Sequence, residues 1–290
     1  MIQSALLVML AWLIVNGVDL SLIHILRGKR MNVTLKSEVL TVSLNPERGN
    51  VITELILGGV NHIYLDQENL KSGQRPRCGC PVLFPYVGMP ENGELVIHDK
   101  RYPAGIHGVV HSLPWQVKAQ DERTAVFECS DTPETNQTFP FSFRLQSRLS
   151  ADAGSLVYHT QITNQSKEVM PCDLGFHPFF RISDLRALTF EVDGETCSFT
   201  EEQFRRITGS GVLLRDCSVF CWQDGEFSYR LENLIGFRNL FLWSGKPDTF
   251  LVVEPWTGEQ NAINRNIQML NLPSGESVET EWKITVTQKL

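Results

Sequence analysis

From Met31 onward the chain alternates between apolar and polar positions. The run FSFRLQSRL over residues 141–149 does so residue by residue, and VETEWKITV over residues 278–286 repeats it. A period of two buries one face of an extended segment and wets the other, so both runs predict half-buried strands. Short branched segments at residues 32–37 and 39–44, closed by Pro46 and Gly49, read as strands too. Residues 51–57 and 60–65 flank Gly58-Gly59 and predict two strands with a tight connection. Further strands are expected at residues 115–119, 125–129, 156–164, 188–192, 239–243, 250–254 and 277–288. Helical periodicity is weak, and residues 200–207 predict one short helical turn. Many short strands separated by Gly, Pro and Asn turns indicate an all-β protein, a sandwich or barrel.

The chain has 290 residues, enough for one large β domain or two ordinary ones. No repeat, low-complexity segment or linker interrupts it after Met31, which favours one sandwich of two antiparallel sheets. An apolar content of 42% supplies a core. The net charge of −7 argues against a nucleic-acid partner, because phosphate binding needs a basic surface.

The first thirty residues differ. Residues 5–15 form an apolar run, Asn16 and Asp19 interrupt it, and residues 20–26 resume it before Arg27-Gly28-Lys29-Arg30. The first run is too short to span a bilayer, and neither a basic start nor a small-residue cleavage site marks a signal peptide. Residues 1–30 are therefore read as an appendage and residues 31–290 as the domain. Contact with a membrane is expected only if that leader acts as an anchor.

Seven cysteines at irregular spacing do not suggest a disulfide framework. Cys78-Gly79-Cys80 lacks a second pair at zinc-ligand spacing, so no metal is expected there. Sequons occur at Asn32, Asn136 and Asn164, but free thiols favour a reducing compartment, and the expectation is a cytoplasmic protein.

Three stretches hold candidate chemistry. CDLGFHPFF places His177 among aromatic rings, between Gly175 and Pro178, and FLVVEPWTG ends a hydrophobic strand pattern in Glu254, before Pro255 and Trp256. A histidine and a carboxylate in partly dry settings suit acid and base work near neutral pH. Taken singly, a histidine beside phenylalanines is more often a core residue, and a glutamate at a strand end a solvated charge. The third stretch, residues 77–115, adds Arg77, His107 and His111.

Together these segments resemble the aldose 1-epimerase (galactose mutarotase-like) superfamily, in particular its LacX-type and hexose-6-phosphate-epimerase-like branch. Arg77-x-Gly79-x-Pro81 with Phe84-Pro85 is similar to the family's R-G-G-x-P and F-P segment. HGVVHSLPW, residues 107–115, is similar to H-G-F-A-R-x-x-x-W. GFHPFF, VEPWTG and LPSGE resemble the segments with the catalytic histidine, the catalytic glutamate and the closing turn, in the family's order.

The resemblance implies a β-supersandwich and a cofactor-independent, metal-independent isomerase acting on a hexose. It implies His177 as general acid and Glu254 as general base, with Arg77 and His107 on substrate oxygens. His111 stands where the family motif has Arg. A mostly neutral group there weighs against phosphosugar specificity. Asp216 is a candidate for the family's third acidic residue. Trp256, Phe179 and Trp243 are candidate stacking surfaces for the sugar ring. The alternatives are a hexose-6-phosphate 1-epimerase and a non-catalytic sugar-binding or sensing module on the same scaffold. Which sugar is bound, and the oligomeric state, are not specified by these motifs.

Overall fold

The computed structural model describes residues 32–289, and the expected appendage at residues 1–30 lies outside them. The described chain is all-β and antiparallel. Its largest sheet has nine strands, in the order Glu195–Cys197, Thr189–Val192, Val219–Asp224, Phe227–Ile235, Ser277–Gln288, Ser155–Asn164, Phe143–Asp152, Thr124–Ser130 and Gln116–Gln120. A six-stranded sheet contains Val212–Leu214, Asn239–Trp243, Phe250–Trp256, Gly175–Phe176 and Val82–Leu83, with Phe179–Arg181 also paired to Phe250–Trp256. A four-stranded sheet runs from Val33–Lys36 through Leu40–Asn45 and Val51–Leu57 to Val60–Asn61.

Alternation works as expected in the long strands. Phe143, Leu145, Leu149 and Ala151 are buried, while the intervening Arg144 and Gln146 are half-buried and Arg148 is exposed. Of the strands not foreseen in the sequence, the two longest, Val219–Asp224 and Phe227–Ile235, both sit inside the largest sheet. In the second of them the register against Ser277–Gln288 shifts between Asn233 and Ile235, and this bulge breaks the period that pattern reading depends on. The short helix forms at Glu201–Ile207, started by a capping box in which Thr200 and Gln203 satisfy each other's backbone N–H groups.

The core between the two large sheets is aromatic. Tyr158 and Trp282 of the nine-stranded sheet stack at 6.1 Å, and Phe176 of the six-stranded sheet packs 4.5 Å from Tyr158 and 5.2 Å from Trp282. All three are buried, so truncating any one to Ala would cost about 3–5 kcal/mol.

The central strand FLVVEPW, Phe250–Trp256, is buried at every residue. A continuous apolar run of this kind marks a strand covered on both faces. Leu251 and Val253 join the main core, Val252 packs with Phe179 and Phe250, and Trp256 packs with Leu83 and Val87. Odd positions thus face the inter-sheet core, and even positions, including Glu254, face the other side. No helix of the described residues is long and apolar enough to cross a membrane.

Candidate active site

The strands on either side of His177 hold it against Glu254. Gly175 pairs with Trp256, Phe179 with Val252, and Phe180 with Leu251, so one register is kept across the gap and His177 falls opposite Glu254. Pro178 and Pro255 supply no N–H there, which interrupts the ladder without shifting it. Phe176 and Phe180 turn into the core, so the residues of opposite parity, His177 and Phe179, turn toward a cavity of about 590 Å³. His177 Nε2 stands 3.4 Å from Glu254 Oε1, with the residues only 6% and 1% exposed. The indole N–H of Trp256 donates to Glu254 Oε2 at 3.1 Å, fixing the carboxylate from two residues along the strand.

His107 enters from a loop bent by two consecutive left-handed residues, with φ of +68° at His107 and +76° at Gly108. A side chain at Gly108 would collide with the Phe84 carbonyl, its Cβ falling 2.1 Å from that oxygen. The left-handed backbone at His107 is a costly state that a β-carbon tolerates only when the surroundings enforce it. Its ring meets that of His177 edge to face at 5.1 Å. The Gly88 N–H donates to His107 Nδ1 at 3.1 Å. That nitrogen therefore holds the lone pair, and the neutral ring carries its proton on Nε2 as a donor.

His107, His177 and Glu254 present ligand atoms within 4.8 Å of one another, a spacing a divalent cation can bridge. The donor set does not suit one, because the single lone pair of the neutral His107 ring is taken by Gly88.

Desolvation dominates the electrostatics. Burial pushes His177 down to about 3, with the positive charge of Arg75 adding to the effect. Burial, then His177 and Arg75, also hold His107 well below the usual imidazole range. Burial raises Glu254 well above the carboxylate range, against the opposing Trp256 hydrogen bond and Arg75. Burial thus favours the uncharged form of each partner, a carboxyl at Glu254 and a neutral imidazole at His177. Behind the site, burial raises Asp173 well above its ordinary value, against a hydrogen bond from Thr257.

The structure brings Arg77, His107, His177, Phe179, Glu254, Trp256 and Trp243 to the cavity wall. Two expected residues are not on that wall. Asp216 lies at the surface, its side chain 82% exposed and 4.0 Å from Arg238. His111 is half-buried behind the wall, pushed down to about 4 by burial and by Arg75. Trp256 and Phe179 are only 1% and 3% exposed, so they offer little face to a ligand, whereas the half-buried Phe241 and Trp243 offer more.

Sequence reasoning missed Arg75, Tyr64, Asp66, Lys246 and Gln260, all on the wall. Arg75 had a signal, since Arg75-Pro76-Arg77 is a paired cation two residues upstream of the motif position. The others lie in segments without any motif. All seven cysteines are free.

The family described as Aldose 1-epimerase matches residues 31–210, more than half of the chain and including Arg77, His107 and His177. No curated protein matches the chain. Among solved structures, the Slr1438 protein of Synechocystis superposes with a TM-score of 0.81 at 23% identity, over 90% of this chain and 97% of its own. A galactose mutarotase-like protein of Lactobacillus casei gives 0.77 at 19%, over 89% and 100%. The galactose 1-epimerase of Lactobacillus acidophilus gives 0.65 at 13%, over 89% and 95%. These structures share the fold, and the family match, on a chain whose histidines and glutamate converge in one cavity, places this protein in the aldose 1-epimerase family.

Proposed function

We propose that this protein is an aldose 1-epimerase that interconverts the α and β anomers of a hexose, with Glu254 as general base and His177 as general acid. The observation that carries the reading is the pairing of His177 and Glu254 at 3.4 Å on the wall of one desolvated cavity. The carboxylate takes the proton of the C1 hydroxyl, the bond from C1 to the ring oxygen breaks, and the imidazole protonates the ring oxygen. Rotation about C1–C2 presents the other aldehyde face, and closure reverses both proton transfers. Burial favours the carboxyl form of Glu254, so its proton must pass to His177 before the first step. Arg75, the Trp256 N–H and the incoming sugar hydroxyls all favour the carboxylate form. His107, held as an Nε2–H donor, supports a substrate oxygen, as does Arg77. The half-buried Phe241 and Trp243 offer apolar faces to the ring.

Anomer equilibration of freshly dissolved α-glucose and α-galactose, followed by polarimetry, tests this. Catalysis well above the buffer rate is expected. A protein that binds sugar without speeding equilibration would instead be a non-catalytic sugar-binding module.

One observation favours a second reading. Arg75, Arg77 and Lys246 all line the cavity, so a hexose 6-phosphate would meet cations even though His111 lacks the family's Arg. A higher kcat/KM for glucose 6-phosphate than for glucose would select it.

A further inference from the structure

Arg75 stands on the wall of the cavity that holds His177 and Glu254, yet its guanidinium makes no hydrogen bond among the described residues. Its charge is therefore only as well placed as its backbone. That backbone belongs to residues 72–77, which form neither strand nor helix. Pro76, the next residue, has no N–H with which to anchor it.

One side chain supplies the anchor. Asn69 is half-buried on the helical turn Gln67–Lys71 and is not itself on the cavity wall. Its Nδ2 donates to the Arg75 carbonyl at 3.3 Å, and its Oδ1 accepts from the Arg77 N–H at 2.6 Å. The two bonds bracket Pro76. They also fix which way the amide points, because a carbonyl needs the amino group and an N–H needs the oxygen. The Asn69 backbone extends the hold. Its N–H donates to Asp66 Oδ1 at 3.0 Å, and its carbonyl accepts from Ser72 Oγ at 2.7 Å. Ser72 Oγ in turn accepts from the Gln74 N–H at 3.2 Å. Beneath the turn, Leu70 packs with Val51 and Cys78, which seats Asn69 at the base of the loop.

We propose that Asn69 is a positioning residue for the reaction: by bracketing Pro76 it holds Arg75 against His177 and Glu254, and Arg77 on the same wall. This rests on the epimerase reading above. The titratable groups that face the pair are His107, the Cys80 thiol and Arg75. Burial keeps the first two uncharged, so Arg75 is the charge among them. Asp66, Arg77 and Lys246 complete the charged groups of the wall. A loop freed from Asn69 lets Arg75 leave the pair, and the proton affinity of both members rises.

The experiment compares pH–rate profiles of anomer equilibration for the parent, Asn69→Ala, Arg75→Ala and the double variant. Ala suits a helical turn, so the fold is expected to survive in Asn69→Ala, which circular dichroism checks. That variant should lower kcat/KM about three- to tenfold, the scale of one or two hydrogen bonds. Its alkaline limb should move up by about half a pH unit, part of the shift that a neighbouring charge causes. In the double variant the limb is expected where Arg75→Ala alone puts it. Ser72→Ala, which loosens the same loop from an exposed position, should move the limb in the same direction by less. A limb that Asn69→Ala leaves in place, or shifts that add in the double variant, overturns the bracket and leaves the epimerase reading intact. If the parent equilibrates no sugar, the epimerase reading falls and a crystal structure of Asn69→Ala decides. Arg75 displaced from the wall with His177 and Glu254 unmoved supports the bracket, and Arg75 still in place overturns it.

Discussion

The indole N–H of Trp256 donates to Oε2 of Glu254, and the carboxylate's other oxygen faces His177. Trp256 is itself stacked on Phe241 at 4.6 Å and 8°. The residue that sequence reading assigns to a sugar platform is therefore placed to orient and acidify the base. Trp256→Phe should keep the stack and lose the donor. Equilibration is expected to slow about tenfold, with the acidic carboxyl form of Glu254 favoured further. Rate measurements across pH check this, and a variant as active as the parent would remove the indole from this role.

Removing the proposed acid or base should have a larger effect. His177→Ala and Glu254→Gln are each expected to slow equilibration by about a hundred- to ten-thousand-fold. Circular dichroism should show the β-fold retained in both. Full activity in both variants would end the assignment.

Arg75 lowers the proton affinity of both members of the pair. Arg75→Ala should therefore raise both. The alkaline limb of the rate profile, where the pair loses its proton, is expected to move to higher pH. Arg77→Ala, at the exposed end of the same run, should raise KM and leave the limb in place. A pH–rate profile for each variant separates the two cations.

Stability should peak near neutrality. Burial lowers the folded-state proton affinity of His62, His107, His111 and His177. Below roughly pH 6.5 the unfolded chain binds protons that the folded one refuses, so stability falls as the pH drops. Asp173 and Glu254 are raised, so above the ordinary carboxyl range the folded state holds more protons than the unfolded one. Their contribution is lost as pH rises toward their folded values. Between about pH 4.5 and 6.5 the two trends oppose. Above that window the acids alone act, and the melting temperature should decline with alkali. Asp173→Asn, isosteric with the protonated acid, should flatten the alkaline side. An unchanged slope would show that Asp173 ionises freely in the folded protein.

The sequence by itself carried the all-β character, because a period of two over residues 141–149 and 278–286 admits only half-buried strands. It also carried His177 and Glu254 as candidates, since each stands in an aromatic segment beside a proline. Pattern could not find Phe227–Ile235, where a bulge shifts the register and spoils the period. Nor could it rank Arg75 beside Arg77, or exclude Asp216 and His111 from the wall, because loop side chains are aimed by backbone turns that no local motif encodes. The pairing of mid-chain His177 with late-chain Glu254 was decided by strand register alone. The burial of both, which moves their proton affinities, was decided by the packing of the whole site, because desolvation depends on every group around it and not on its neighbours in the chain.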